Sequence, residues 1–534
     1  MRRSLVVGVL VGGVLASQAP ALPERPSSRP GSTSAPAVGK GEKRRGKPAR
    51  PAPGKTGRRL RERREKTRKI AALNRKLTRL FQQGKYAECE PLLRQVLRID
   101  PKNHVAWYNL ACYHSRVGEK GKAIESLEKA VELGYSEFRH LERDPDLAAI
   151  RGAPGYKRLI ARKAEIQRQR AAKIRQMLRA KFGEGYLHEI DHDRKLVFAT
   201  NVDRHTLADM KQRLTAYATA QQRHLFTYPF EQYLTIVIPR SSDWPTSPAV
   251  GGFYNRGAHV LYAQTVGLTL LHEFTHALHG ADQEGLGQHH PIWITEGLAT
   301  LFESSKVVAG RAVPQPNRRL IILRRIVQRG RHIPFKDFVR FSHAKFMGSA
   351  ATAYCQSRYM LAYLHRKGVL KKWYDAYTEG YGDDRTGAEA MEKVLGKKLR
   401  EIEKDWKAWV LTLEPPVLRL PARHAYLGIQ LRPGVDGVRV VRVVPGSGAD
   451  KAGLKADDVI IQIDGERVID PGQLMTVVYR HEVGDKLKVR YRRGTTYRTA
   501  TVTLGAMPDH VRPPAPPRRP RTRAATKPAR RKAA

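Results

Sequence analysis

The stretch "LTLLHEFTHALHG", residues 268–280, carries the pattern on which the central part of this chain turns. His272 and His276 are four apart, so on an α-helix they share one face, one turn from each other. Neutral imidazoles placed in this way fill two corners of a tetrahedral zinc site. Glu273 lies about 100° further round the helix, beside that face. A carboxylate there can take a proton from a metal-bound water. The frame is apolar, with Leu268, Leu270, Leu271, Phe274, Ala277 and Leu278 around the polar triplet. A zinc ion with an open corner needs a third protein ligand. "PIWITEGLATLFE", residues 291–303, supplies Glu296 on a second helix that can fold back on the first. Glu303 follows seven positions later on the same helical face, where it can orient a ligand imidazole.

Together the two segments resemble the gluzincin metallopeptidases, whose second helix carries Trp-x-x-Glu-Gly. Trp293, Glu296, Gly297, Leu298 and Ala299 match it. Over residues 185–411 the likeness is to the peptidase-MA-like members and implies a thermolysin-like α+β zinc peptidase domain. It also implies one catalytic Zn2+ on His272, His276 and Glu296, with Glu273 as general base. The same resemblance offers Tyr354, in "AATAYCQSRYMLAYL", as donor to a developing oxyanion. A core aromatic is the other reading of Tyr354; Tyr359 and Tyr363 read as packing. A metzincin-like arrangement would use Asp282, six after His276, but requires a glycine where His279 stands. Asp282 therefore ranks below Glu296, and His279, His289 and His290 read as surface groups or neighbours of the ligands. Cys355 has no recognisable histidine partner, which disfavours a thiol protease.

Upstream, "KLVFATN" and "YLTIVIP" are short β-branched runs that read as strands. Between them lies a helical period built on Leu207, Met210, Leu214 and Tyr217. "RSSDWPTSPAVGG" reads as a loop, and "AHVLYAQ" as a strand that could present its edge to an extended peptide. Helices are expected around 293–305, 318–329, 335–341, 350–366, 370–378 and 387–411. Strands first and helices after make an α+β arrangement.

Residues 71–160 hold a repeat. Gly84, Tyr86, Cys89, Leu93 and Val96 lead to Asp100-Pro101, and Gly118, Ala123, Leu127 and Ala130 follow at a spacing of 34, with Trp107, Leu110 and Ala111 between. This resembles the tetratricopeptide repeat and its interlocking helical hairpins. Two units are few for a free-standing array, so docking on the next domain is expected. Residues 161–184 read as a basic helical connector. Beyond a Pro-rich linker at 412–423, residues 424–505 resemble a PDZ domain of the bacterial protease-associated kind. The likeness rests on "YLGIQL", "VRVVRVVPGSGADKAGLKADDVIIQIDGERV" and "GDKLKVRYRRGTTYRTATVTL". It implies that Tyr426, Leu427, Gly428 and Ile429 hold a peptide C-terminus on backbone N–H groups, with the Pro471–His481 helix as the opposite wall.

The ends of the chain are of another texture. Residues 1–21 have Arg2 and Arg3, an apolar run from Leu5 to Ala16 and an Ala19-Pro20-Ala21 site, the pattern of a secretory signal peptide; an uncleaved membrane anchor is the competing reading. Residues 22–70 and 506–534 are rich in Arg, Lys, Pro and Ala and are expected to be disordered. They carry much of a net charge of +48, from 98 basic and 50 acidic residues. Such tails suit contact with a polyanion, although no specific nucleic-acid motif is present. Three cysteines exclude a disulfide framework. The sequence thus reads as an exported, multidomain zinc metallopeptidase that recruits peptide or protein partners through its repeats and PDZ domain. The competing reading is a non-catalytic, zinc-containing scaffold of the cell envelope.

Overall fold

The computed structural model describes residues 55–247, 249–414, 425–469 and 471–506. The signal-peptide segment 1–21, most of the basic stretch 22–70, the core of the linker and the tail beyond residue 506 lie outside these. The described residues fall into two compact units, 55–414 and 425–506.

The first unit opens with α1 (Lys55–Gln82), followed by α2 (Cys89–Ile99), α3 (His104–Arg116) and α4 (Lys120–Glu132). Their apolar faces interlock as large against small: Leu77, Leu93, Val96 and Leu110 against Ala111, Ala123 and Ala130, all buried. Trp107 clips the α2–α3 turn by donating its Nε1–H to Pro101 O at 3.0 Å. The expected disorder of residues 22–70 is corrected from Lys55 onward. The arginines, lysines and glutamates there are good helix formers, Glu65 and Lys69 pair at 2.8 Å across one turn, and Leu77 and Leu80 anchor the helix in the core. The short helices α5 (Phe138–Arg143) and α6 (Pro154–Ala161) close this region.

Next come α7 (Lys163–Phe182), β1 (Leu187–Asp191), β2 (Leu196–Thr200), α8 (Arg204–His224), β3 (Leu234–Ile238), β4 (Gly252–Asn255) and β5 (Val260–Ala263). The sheet order is β1-β2-β3-β5-β4, with β2, β3 and β5 parallel and the outer strands antiparallel. The parallel strands are apolar on both faces because helices cover both. Helix α7 is one of the covers: Ala171, Leu178 and Phe182 pack on Val197, Ala199 and Val237, so this segment is part of a core and not only a connector. The expected edge strand "AHVLYAQ" is β5, an interior strand. The edge is β4, inside and just beyond the stretch read as loop, where two glycines and a proline hid a four-residue strand.

The unit then turns helical: α9 (Leu268–Leu286), α10 (Ile292–Phe302), the hairpin β6 (Ser305–Val308) and β7 (Arg311–Pro314), α11 (Arg319–Gln328), α12 (Ala350–Arg366), α13 (Leu370–Glu379), α14 (Ala388–Leu395) and α15 (Leu399–Thr412). The single helix expected over 387–411 is two, because Gly396 takes a left-handed conformation at φ 64° and stops the first. Gly297 lets α10 and α12 approach closely: a Cβ there would stand 2.8 Å from Leu361 Cδ1 and 3.2 Å from Ser357 O.

The second unit comprises β8 (Ala425–Tyr426), β9 (Ile429–Pro433), β10 (Val438–Val443), β11 (Val459–Ile463), β12 (Glu466–Arg467), α16 (Pro471–Val478), β13 (Lys486–Arg493), β14 (Thr496–Thr503) and β15 (Gly505–Ala506). The path β14-β13-β11-β10-β9 is antiparallel throughout. Val440, Ile460, Val489 and Val502 fill its core with Leu474 and Val477 of α16. Helix α16 ends at Val478, short of the expected His481.

Candidate metal centre

Helix α9 lies under β4, and the contact is close. At Gly252 a Cβ would stand 2.6 Å from Thr269 Cγ2 and 2.9 Å from both Glu273 Cγ and Tyr262 O. This places His272 and His276 where α10, returning antiparallel, brings Glu296. The Nε2 atoms of the two histidines are 3.1 Å apart, and Glu296 Oε2 is 3.4 Å from each. A point equidistant from these three atoms lies about 2 Å from each, the length of a bond from zinc to imidazole nitrogen or carboxylate oxygen. Glu296 Oε2 is buried and, though near both imidazoles, has no hydrogen bond of good geometry. Three acceptor atoms converging on one point, one of them unsatisfied, fit a divalent cation better than they fit one another.

Glu303, on the same helix as Glu296, accepts the Nδ1–H of His272 at 2.9 Å. A carboxylate in that position fixes the proton on Nδ1 and turns the Nε2 lone pair of the neutral ring toward the centre. Arg319 Nε in turn donates to Glu303 at 3.1 Å. Burial opposes a charge on His272, but the neighbouring Glu296 and Glu303 carboxylates outweigh it and lift the pKa of the metal-free ring to about 10. Burial also raises the carboxyl of Glu296, yet His272 and His276 hold it well below the usual range. Glu273 stands apart: burial pushes its pKa up, opposed by His276 and His272 and by the backbone N–H of Tyr254. Its carboxyl is thus a better proton acceptor than an exposed glutamate.

Tyr354, in the second turn of α12, has the Glu296 and Glu273 carboxyls as charged neighbours. Its ring packs edge-on to Phe346 and under the Arg319 guanidinium, and its hydroxyl lies 4.0 Å from Met347 Sδ. Burial and the nearby Glu296 and Glu273 carboxyls raise its pKa, so it stays a protonated donor. Tyr359 and Tyr363 are buried in packing. Cys355 is buried too, and burial pushes its thiol up to about 11.

Asp282 points away from the metal centre. Its Oδ1 accepts from the N–H groups of Thr227 and Tyr228 at 2.7 Å each, and its Oδ2 from Tyr374 Oη at 2.7 Å. His279 and His290 are not surface groups but buried partners, joined Nε2 to Nδ1 at 2.7 Å. Sequence reading missed Gly252 and Tyr254. The signal for them was the alternation in "GGFYN", where glycine and tyrosine face α9.

In the second unit, Tyr426 ends β8, Leu427 and Gly428 form the link, and Ile429 begins β9 beside α16. Gly428 O accepts from Val444 N at 2.8 Å and Leu427 O from Ala449 N at 2.9 Å. Among the described residues the N–H groups of Leu427 and Gly428 donate to no backbone acceptor.

This unit matches the PDZ domain family over residues 425–504. Residues 92–125 match the tetratricopeptide repeat family. Among curated relatives, a putative serine protease HhoA of Synechocystis sp. is 37% identical over 15% of this chain and 25% of its own. A probable periplasmic serine endoprotease, DegP-like, of Marinomonas sp. is 34% identical over 14% of this chain and 16% of its own. The serine protease Do-like HtrA of Bacillus subtilis is 35% identical over 13% and 15%. The chain spans a quarter or less of the length of these relatives. Among solved structures, the HtrA3 PDZ domain bound to a phage-derived ligand is 20% identical over 16% of this chain and 88% of that one, at a TM-score of 0.15. The HtrA-type protease AlgW with a decapeptide is 20% identical over 22% and 35%, at 0.16.

These matches overturn the expected kinship with the gluzincin metallopeptidases. The relatives carry serine-protease names of the HtrA and DegP type, and neither matched family describes a zinc peptidase. The activity drawn from that kinship, zinc-dependent peptide hydrolysis, falls with it, and a thermolysin-like domain over 185–411 is unsupported. What stands is a multidomain α+β chain with a helical repeat region and a β-rich PDZ domain. No helix among the described residues is long and apolar enough to cross a membrane.

Proposed function

We propose that this chain is an exported, peptide-binding protein built around a divalent-cation centre. The PDZ domain takes the C-terminus of a peptide or protein on the N–H groups of Leu427, Gly428 and Ile429, with the peptide laid beside β9. The tetratricopeptide-like hairpins offer a second protein-contact surface. Export is supported by the N-terminal signal-peptide pattern and by the periplasmic name of the Marinomonas relative. The serine-protease activity in the relatives' names belongs to proteins of which this chain spans a quarter or less.

His272, His276 and Glu296 would hold the ion, and two imidazoles with one carboxylate suit Zn2+. When bound there, zinc would supply Lewis acidity to a coordinated water. The raised pKa of Glu273 supports a role as proton acceptor beside that centre, and that of Tyr354 a role as hydrogen-bond donor. The observation that carries the reading is the convergence of His272 Nε2, His276 Nε2 and the unsatisfied Glu296 Oε2 within 3.1–3.4 Å. Elemental analysis of purified protein, loaded with zinc and dialysed, tests it. One zinc per chain is expected, retained in Glu273→Gln and lost in His276→Ala. No zinc in the unsubstituted protein, or unchanged zinc in His276→Ala, defeats the assignment.

A further inference from the structure

A large cavity in the first unit lies away from the candidate metal centre, lined by none of its residues. It measures about 930 Å3, within the range of small-molecule sites. Three parts of the fold meet there: the turn after α4, the exposed side of α7, and the β4–β5 hairpin. Its walls are largely apolar, with Ile174, Met177, Val250 and Phe253 prominent. Met177 is 56% exposed and Val250 38%, unusual for large apolar side chains on either side of one concavity.

The polar groups in the wall have one sign in excess. Arg170 donates Nη1 to Gly134 O and Ser136 Oγ, which leaves Nη2 and Nε for another acceptor. Lys173 is exposed on the lining one turn along. Glu137 is the lining's one carboxyl, and burial raises its pKa. His104 and His259 also line the cavity; burial and Arg170 push His104 down to about 4 and lower His259 as well, so both are neutral at pH 7. Tyr262 is a second, independent pointer. It is 3% exposed, it lines the cavity, and its hydroxyl has no hydrogen-bond partner among the described residues. A buried hydroxyl of this kind calls for an acceptor.

We propose that this cavity binds a small amphipathic carboxylate, its alkyl or aryl tail between Ile174, Met177, Val250 and Phe253 and its head on Arg170. A guanidinium pairs a carboxylate in two parallel bonds, and an apolar wall beside it selects for a tail. The site is separate from the peptide loop of the PDZ domain.

Calorimetric titration of the full chain with decanoate, decanol and decylammonium tests this. Saturable one-to-one binding of decanoate is expected, at least tenfold tighter than either of the others. Met177→Glu, an exposed substitution that leaves the fold intact, should weaken decanoate at least tenfold. Arg170→Gln should do the same while leaving decanol unchanged, with its melting temperature recorded alongside. Absence of saturable binding, decanol binding as tightly as decanoate, or decanoate binding undisturbed by Met177→Glu would each overturn the proposal.

Discussion

Glu303 reaches the metal centre only through His272. Without its carboxylate, Nδ1 loses the acceptor that holds the ring's tautomer and direction. Outer carboxylates of this kind are worth roughly 10–100-fold in metal affinity. Glu303→Ala is therefore expected to weaken zinc by about that factor in a chelator competition, with stoichiometry unchanged at saturating metal. Gly252 acts by taking no space. A methyl group there meets Thr269, Glu273 and the Tyr262 carbonyl within 3 Å, and the last of these is backbone that cannot yield. Gly252→Ala should cost about 1–3 kcal/mol in urea unfolding, the range for overpacking. An unchanged midpoint would show that β4 and α9 can separate freely. At this scale the convergence of His272 and His276 was legible: a spacing of four on a helix leaves little freedom to two imidazoles. Gly252 and Tyr254 were not, because their role is defined by a helix that comes later in the chain.

Helix α9 owes its position to its far end as much as to its histidines. Asp282 holds three donors, two of them backbone, in a fully buried place. Asp282→Ala leaves them unmet, at about 1–3 kcal/mol each where water cannot replace the lost acceptor. A large loss of stability is expected with one zinc per chain still bound, which separates the anchor from the ligands. The same end carries the His279–His290 pair. Burial lowers the pKa of His290 to about 3 and that of His279 well below its ordinary value. In the unfolded chain both protonate near pH 6.5. Between about 6.5 and 3 the unfolded state then binds more protons, so stability falls as the pH is lowered through that window. Carboxylates held low, such as Glu296, add their loss only below about 4.5. Urea midpoints should decline from pH 7 to pH 5, and less steeply in His290→Gln; equal slopes would remove this pair as the cause. The sequence left these histidines as surface groups or neighbours of the ligands because polarity was all it showed of them. Their burial depends on α13, which brings Tyr374 and Tyr377 over the pair from some ninety residues away.

The described residues divide into a unit that contains the candidate metal centre and a unit that contains the PDZ fold. A ligand stabilises only the body that binds it, by about 2.7 kcal/mol when its free concentration is a hundred times the dissociation constant. Chelation of zinc should lower the melting transition of the first unit and leave that of the second in place, as differential scanning calorimetry on the full chain would show. A joint shift of both transitions would mean that the two units unfold as one.

Family resemblance supplied Glu296 and the order of strands and helices in the PDZ region; periodicity along the chain by itself determined the helical hairpins and the His-Glu-x-x-His helix. Each of the latter is set by residues close together in sequence, where the geometry of a helix or strand fixes which side chains share a face. Only the tertiary structure decided that β4 and not β5 lies at an edge of the sheet, that α1 and α7 join packed cores, that Asp282 is an anchor, and that Tyr354 neighbours Glu296 and Glu273. These depend on which surfaces meet, and local sequence carries no record of the surface across from it. The sequence resemblance to a metallopeptidase family went further than three ligands and a base allow: a metal site is made by a few side chains, whereas kinship is a property of a whole domain.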